Sequence, residues 1–296
     1  MMRNLDITTL RSFVAVADNG GVTRAAGFLH LTQSAVSMQL KRLEELLGQQ
    51  LLDRSGRTIA LTASGEQLLA YARRMVKLND EVIGRLTDQV YEGEIVLGVP
   101  HDIVYPAIPQ VLQRFNAAYP RVKVQLISSY TRQLKDQFSK GEIDLILTTE
   151  SSSDGDSEVL AKRPLRWIGA PNGSAWRQRP LPLAFCRFCT FRPKVVAELD
   201  EMDIAWDLVV ETESDRTVEA TVAADLAIHT MIEGMEPPHL VQIDHGGVLP
   251  DLPVQMINLY GAEVTGSHIV GELSGYLRQA FSTVSTPLTA SQWHAA

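Results

Sequence analysis

The sequence predicts an α/β fold with a helical N-terminal unit, one long connecting helix, and a larger region of alternating strands and helices. Three observations carry this. Apolar residues recur at helical spacing across residues 7–47, with breaks at Gly20-Gly21 and Gly48. From Ala63 to about Val90 the helical pattern runs on without a proline. After Gly93, runs such as EIVLGV and IDLIL alternate with amphipathic segments, the pattern of a doubly wound parallel sheet.

The N-terminal unit is built around TQSAVSMQLKRLEELLG, Thr32 to Gly48. Thr32 suits an N-cap, because its hydroxyl can accept a bond from a first-turn N–H. Val36, Leu40, Leu43 and Leu47 form one apolar stripe. Gly48 is a left-handed stop. Off the stripe lie Gln33, Ser34, Ser37 and Lys41, with Arg42 close by. A plain solvated face would carry alternating Glu and Lys. Amide, hydroxyl and cation together suit base edges and phosphates in a DNA major groove. The neighbours favour that use. Gly21 to Leu31 predicts a short helix capped at Thr23, with Ala25, Ala26 and Leu29 on its buried face. A brief turn then leads to the second helix, the spacing of a helix-turn-helix. Ile7 to Asp18, with Leu10, Phe13 and Val16, supplies a supporting helix.

Beyond Gly48, Leu51-Leu52 and Ile59-Ala60-Leu61 flank the turn Asp53-Arg54-Ser55-Gly56-Arg57. Two short extended runs around a Gly-containing turn predict a hairpin, a wing with Arg54 and Arg57 at its tip. They are placed to reach phosphate or a minor groove.

Residues 6–70 resemble the winged helix-turn-helix of the LysR-type transcriptional regulators. The matching residues are Leu10, Phe13, Ala25-Ala26, Leu29, Thr32-Gln33, Ala35-Val36-Ser37, Leu43-Glu44, Leu47-Gly48, Leu51, Arg54, Leu61-Thr62 and Gly65. Ser34 stands where the family often has proline, and Leu52 where phenylalanine is usual. The resemblance implies a sequence-specific regulator that contacts double-stranded DNA through Thr23, Thr32, Gln33, Ser34, Ser37, Met38, Lys41, Arg42, Arg54 and Arg57.

Composition is that of a soluble globular chain of 296 residues, 45% hydrophobic and 21% charged. The net charge of −8 is unevenly spread. Residues 1–90 carry 11 Lys or Arg against 9 Asp or Glu, and the remainder is strongly acidic. The acidic part is expected to turn away from DNA. The N-terminus lacks the apolar run of a signal peptide, and no stretch approaches a membrane span, so the expected location is cytoplasmic.

In the long helix, Leu68, Ala72, Met75, Asn79, Val82 and Leu86 fall at heptad spacing. Two readings stand: packing on the helix's own chain, or pairing with a second copy. Pairing is preferred, since such a DNA reader needs two recognition helices about one duplex turn apart. The resemblance implies a dimer of dimers, a homotetramer. RNA polymerase stands as a further expected partner.

The C-terminal part resembles the family's effector domain, two α/β lobes like periplasmic binding proteins. Ala118-Tyr119-Pro120 and Gly141-Glu142-Ile143-Asp144 are its matching motifs. The expected units are a DNA-binding domain 1–62, a linker helix 63–92 and a regulatory domain 93–296. Within the last, lobe I takes about 93–163 and 263–296, and lobe II about 164–262. Where the family often has a Gly-rich stretch, this chain reads AADLAIH at 223–229; Asp225 there argues against close backbone approach to a ligand.

Ligands of open α/β lobes sit beyond the carboxyl ends of the strands. Those ends are Pro100-His101-Asp102, Ser128 to Thr131, Thr148-Thr149 and Glu211 to Ser214. The effector-binding candidates are Pro100, His101, Ser128, Ser129, Thr131, Thr148, Thr149 and Thr212. Hydroxyls and helix starts suit a small polar ligand, often anionic, although Glu211 and Glu213 argue against an anion on their rim. For His101 a recognition role and a loop role both stay open.

Cys186 and Cys189 form C-x-x-C between a strand and a helix. A helix dipole with Arg187 and Arg192 would lower a thiol pKa there, as a redox sensor requires. The alternative is two structural thiols. Two cysteines supply too few ligands for zinc, and His239 and His245 would have to be brought near, so no metal site is expected. There is no Gly-rich phosphate loop, H-E-x-x-H or G-x-S-x-G. The chain is expected to be no enzyme and to need no cofactor.

Overall fold

The computed structural model describes residues 4–53, 60–86, 93–153, 155–262 and 268–283. Three helices open the chain: α1 (Ile7–Asn19), α2 (Val22–Phe28) and α3 (Gln33–Leu47). The Asp6 carboxylate caps α1 by accepting the Thr9 N–H at 2.9 Å. The Thr32 hydroxyl caps α3 by accepting the Ala35 N–H at 3.2 Å. Gly48, at φ +66°, closes α3 as expected. The expected cap at Thr23 does not form. Helix α2 starts two residues earlier, with Gly21 in the cap position and no side-chain bond. Leu10, Phe13, Val16, Ala25, Ala26, Val36, Leu40 and Leu43 are buried together in one core.

Strands β1 (Leu52–Asp53) and β2 (Ala60–Leu61) pair antiparallel, Leu52 opposite Leu61. They flank the wing, whose tip, with Arg54 and Arg57, lies outside the described residues. Thr62 caps the next helix, α4 (Ala63–Leu86), accepting the Gly65 N–H at 3.0 Å while donating to the Gln50 carbonyl at 2.7 Å. A Cβ at Gly65 would lie 2.1 Å from the Leu51 carbonyl oxygen. Only glycine lets the helix start this close to the wing.

The expected seam along α4 divides. Ala72 is buried in the N-terminal core, with Leu68 and Met75 packed against it, so this part is used within the chain. Tyr71, Leu78 and Val82 remain exposed instead. With Met75 they keep a four-three-four spacing, a stripe that shares Met75 and Val82 with the expected one and takes Tyr71 and Leu78 in place of Ala72 and Asn79. The Leu86 side chain and residues 87–92 fall outside the described residues. On its polar faces α4 makes ion pairs both ways. Arg11 pairs with Asp80, and Arg73 with Asp18 at 2.6 Å. Toward the C-terminal region, Arg73 donates to the Lys140 carbonyl at 2.8 Å, and Lys77 pairs with Asp144.

In that region β3 (Gly93–Pro100) pairs parallel with β4 (Val122–Ser129) and with β5 (Leu145–Glu150). Helices α5 (Ala107–Ala118) and α6 (Thr131–Ser139) make the crossovers. Beyond a loop, β6 (Glu158–Gly169) runs twelve residues, its first half carrying the charged Glu158, Lys162 and Arg163. Strands β7 (Leu181–Cys186) and β8 (Trp206–Thr212) form a second parallel pair, with α7 (Arg192–Glu201) between them and α8 (Asp215–Ala223) after β8. Then come β9 (His229–Ile232), β10 (Val241–Gln242), β11 (Val254–Tyr260) and α9 (His268–Thr283).

The first half of β6 pairs antiparallel with β11, and its second half with β9 and β10. One strand therefore runs from the first lobe into the second. Strand β11 also pairs with β5, Tyr260 opposite Ile146. The chain thus returns to the first lobe's sheet at β11, earlier than the expected boundary near 262. A strand's periodicity names its faces but not its neighbour.

Candidate functional site

The polar face of α3 is open. Gln33, Ser34, Met38, Lys41 and Arg42 are exposed, as are Thr23 and Thr32, while Ser37 is half-buried. The Thr32 and Ser34 hydroxyls lie 3.1 Å apart, and Lys41 holds only a loose pair with Glu45 at 3.8 Å. Gln39 turns inward, accepting a bond from the buried Ser12 hydroxyl. The core stripe of α3 is thus spent on α1, and the opposite face is left for a partner.

A second concentration of polar groups lies where β3, β4 and β5 end. Pro100 is buried and leads into a single 3-10 turn, His101–Ile103. The Ser128 hydroxyl lies 2.8 Å from His101 Nδ1. The Tyr130 ring stands edge-on to His101 at 5.1 Å. The buried Thr131 hydroxyl accepts the Thr149 N–H at 3.1 Å. From the second lobe, the Cys186 thiol donates to Asp215 Oδ1 at 2.7 Å. The lobes meet where the Tyr130 hydroxyl donates to the Glu213 carbonyl at 2.9 Å, and where His101 Nδ1 lies 3.9 Å from Asp215 Oδ2.

Asp102 sits at this junction. It is half-buried as a residue, but its Oδ2 is fully shielded and has no hydrogen-bond partner among the described residues. Burial, with a smaller push from the charge of Asp215, raises its carboxyl to about 7 against bonds from its own N–H and from Thr149. His229 donates from Nδ1 to the Ala184 carbonyl at 2.7 Å, and burial pushes its pKa down to about 4.

Three expected cleft residues serve elsewhere. Thr148 points to the opposite sheet face from Thr149, since strand side chains alternate, and its hydroxyl donates to Glu150 Oε1 at 2.6 Å. Ser129 donates to Gln133 at 2.6 Å within the start of α6. The Thr212 hydroxyl accepts the Ser214 N–H at 3.2 Å, shaping the turn into α8. Pro100, His101, Ser128, Thr131 and Thr149 do come together. Tyr130 and Asp215 were not singled out by sequence reasoning. Tyr130 lay within a rim segment already recognised, but nothing in the sequence marked Asp215.

The thiols differ from expectation. Arg192 is paired with Glu211 at 2.9 Å and Arg187 with Glu213 at 3.5 Å, so neither arginine is spent on sulfur. Burial, then the bond and charge of Asp215, pushes Cys186 up to about 12. Burial pushes Cys189 up to about 11, outweighing the N–H groups of Phe191 and Arg192 at the start of α7. His239 faces Glu219 at 3.8 Å, and His245 accepts the Leu249 N–H at 3.3 Å. Among the described residues no three His, Cys, Asp or Glu side chains are grouped to hold a metal. Asp225, at φ +56°, clamps a neighbouring turn: its carboxylate accepts the N–H groups of Ser174 and Ala175 at 2.8 and 3.0 Å. A separate open cavity of roughly 300 Å³ is lined by Arg166, Trp167, Asp244, His245 and Gly246 among others, and shares no residue with the cleft.

Comparison with known proteins identifies both domains. Residues 7–66 match the bacterial regulatory helix-turn-helix protein family, lysR type, and residues 88–259 match the LysR substrate binding domain. The HTH-type transcriptional regulator DgdR of Burkholderia cepacia is 30% identical over 279 residues, 93% of this chain and 94% of that one. ArgP from Mycobacterium tuberculosis superposes with a TM-score of 0.74 at 19% identity, covering 95% of this chain and 98% of that one. Full-length LysG from Corynebacterium glutamicum with bound effector Arg gives 0.70 at 18% identity, covering 94% and 98%. These two structures share the fold. The two domain matches and the near full-length relative place the chain in the LysR family: it is a DNA-binding transcriptional regulator with an effector-binding domain.

Proposed function

We propose that a small molecule bound between the lobes controls how this regulator engages its operator. The observation that carries this reading is the junction itself, where Tyr130 bonds the Glu213 carbonyl across the cleft. A ligand entering between the lobes exchanges that contact for its own, and so biases open against closed forms by its different affinity for each. The residues assigned to it are His101, Ser128, Thr131 and Thr149, with Pro100 as a wall. On DNA, Gln33, Ser34, Ser37 and Met38 are assigned to base edges, and Thr23, Thr32, Lys41 and Arg42 to phosphates. Arg54 and Arg57 are assigned to the flanking groove. The working form is a homotetramer, a dimer of dimers paired through α4, acting in the cytoplasm alongside RNA polymerase.

The test is a footprint on the DNA upstream of the regulator's own gene, with and without a fractionated cell extract of small molecules. The expected result is a footprint whose length changes with one fraction, and a change lost in a Ser128→Ala, Thr131→Val variant that still binds DNA. An unchanged response in that variant would remove the cleft from the mechanism. The alternative, sensing through Cys186 and Cys189, lacks support in the raised pKa of both thiols. A Cys186→Ser, Cys189→Ser variant is expected to respond as the wild type does.

A further inference from the structure

The Asp102 carboxyl carries information about the ligand itself. Its Oδ2 is buried without a hydrogen-bond partner among the described residues. On its own lobe the carboxyl takes a bond from the Thr149 hydroxyl, and the charge of Asp215 in the second lobe acts on it. Asp215 adds a second carboxylate, with one oxygen occupied by the Cys186 thiol and the other 3.9 Å from His101. Arg187 and Arg192, on the segment that follows β7, are engaged with Glu213 and Glu211. An aromatic wall completes the place: Tyr130 lies 5.5 Å from the exposed Phe188.

We propose that the cleft takes a small molecule bearing a primary ammonium, whose N–H groups bond Asp102 Oδ2 while Tyr130 and Phe188 flank its carbon skeleton. This rests on the reading that the effector binds between the lobes, and it replaces the anion that the hydroxyls alone suggested. A buried carboxylate is stable only when a donor or a positive charge meets it. A primary ammonium supplies three donors and the charge in one group. An anion placed beside Asp102 and Asp215 meets like charge in a poorly hydrated site. A metal ion lacks the third ligand it needs among the described residues. Aromatic faces beside the ammonium add cation–π attraction. The raised pKa of Asp102 agrees, since it marks a carboxyl whose ionised form has no counter-charge yet.

The test uses the full chain and a matched panel: the common amino acids, the amines left when their carboxylates are removed, and the acids left when their amino groups are removed. Thermal shift identifies binders and calorimetry measures them. The expected binders carry the amino group, and the corresponding acids do not bind. Asp102→Asn should weaken the binders by at least about tenfold, as loss of a charged hydrogen bond does. The unliganded Asp102→Asn protein should melt no lower than wild type, whereas a purely structural Asp102 would lower it. If deaminated acids bind, or if Asp102→Asn leaves amine affinity unchanged, the proposal is overturned. When such acid binding is lost in Ser128→Ala, the cleft itself survives as the effector site. If no member of the panel binds, the ammonium proposal is overturned, while the cleft reading is decided separately by the footprint and its Ser128→Ala, Thr131→Val variant.

Discussion

Asp144 joins two parts of the chain at once: it is ion-paired with Lys77 of the linker helix and accepts the backbone N–H of Val96 at 2.8 Å. Both roles fall on one oxygen of a mostly buried carboxylate. Asp144→Asn keeps an acceptor for Val96 and loses only the charge. Asp144→Ala loses both and leaves a buried N–H unpaired, at a further cost of about 1–3 kcal/mol. Thermal melting should therefore rank wild type above Asp144→Asn, and Asn clearly above Ala. Equal melting of the two variants would show that the Val96 bond contributes nothing.

Pairing through α4 should run along Tyr71, Leu78 and Val82, which stay exposed, beside Met75 at the edge of the N-terminal core. Leu78→Asp places an unpaired charge in that contact and should give monomers in sedimentation velocity, with loss of operator binding. Leu68→Asp should instead unfold the N-terminal unit, because Leu68 packs on its core. If Leu78→Asp sediments as wild type, the copies pair elsewhere.

On DNA, Gln33→Ala should relax base preference at a few positions. Lys41→Ala should weaken binding to every sequence and reduce the salt slope by about one. Titrations at several salt concentrations separate the two effects. Identical behaviour of both variants would mean that α3 presents a different face.

The thiols should be slow. With Cys186 near 12 and Cys189 near 11, almost no thiolate exists at neutral pH. Alkylation of the native protein by iodoacetamide at pH 7 is expected to be far slower than that of free cysteine, rising to the free rate in urea. Rapid native alkylation would revive the redox reading.

Asp225 makes a pH prediction. Bonds from the Ser174 and Ala175 N–H groups hold its carboxyl below the ordinary value. The folded pKa is lower than the unfolded one, so the stabilisation is fully present at neutral pH and is lost as pH falls through the folded value, below about 4. Asn tolerates the left-handed backbone at this position, so Asp225→Asn isolates the charge. The variant should melt lower than wild type at pH 7, with the gap closing in acid. A gap independent of pH would assign the effect to geometry alone.

Much of the fold was legible because its signals are local. Thr32 and Gly48 mark the ends of α3 within the sequence itself, and Val36, Leu40 and Leu43 name its buried side. The cleft was legible only as a set of strand ends. Thr148 and Thr149 read alike until alternation turns one of them away. Asp215 reaches the site from a helix more than 100 residues beyond His101 in sequence, and no spacing rule joins the two. The α4 stripe was legible only in part, because its periodicity fits two partners and the chain's own core takes Leu68, Ala72 and Met75.

Helix α4 has 24 residues, and at about 1.5 Å per residue it is a rod roughly 36 Å long. Near one end, Gly65 is pressed against the Leu51 carbonyl; further along, Lys77 is tied to the regulatory domain through Asp144. Buried Ala72 and the Arg73–Asp18 pair hold the rod to the DNA-reading unit, so the two turn together. A tilt of about 5° carries the far end of such a rod by about 3 Å, close to the roughly 3.4 Å step between base pairs. The absence of a side chain at position 65 thus sets the wing directly against the end of the lever, so that a swing of the rod is passed to the DNA-reading unit.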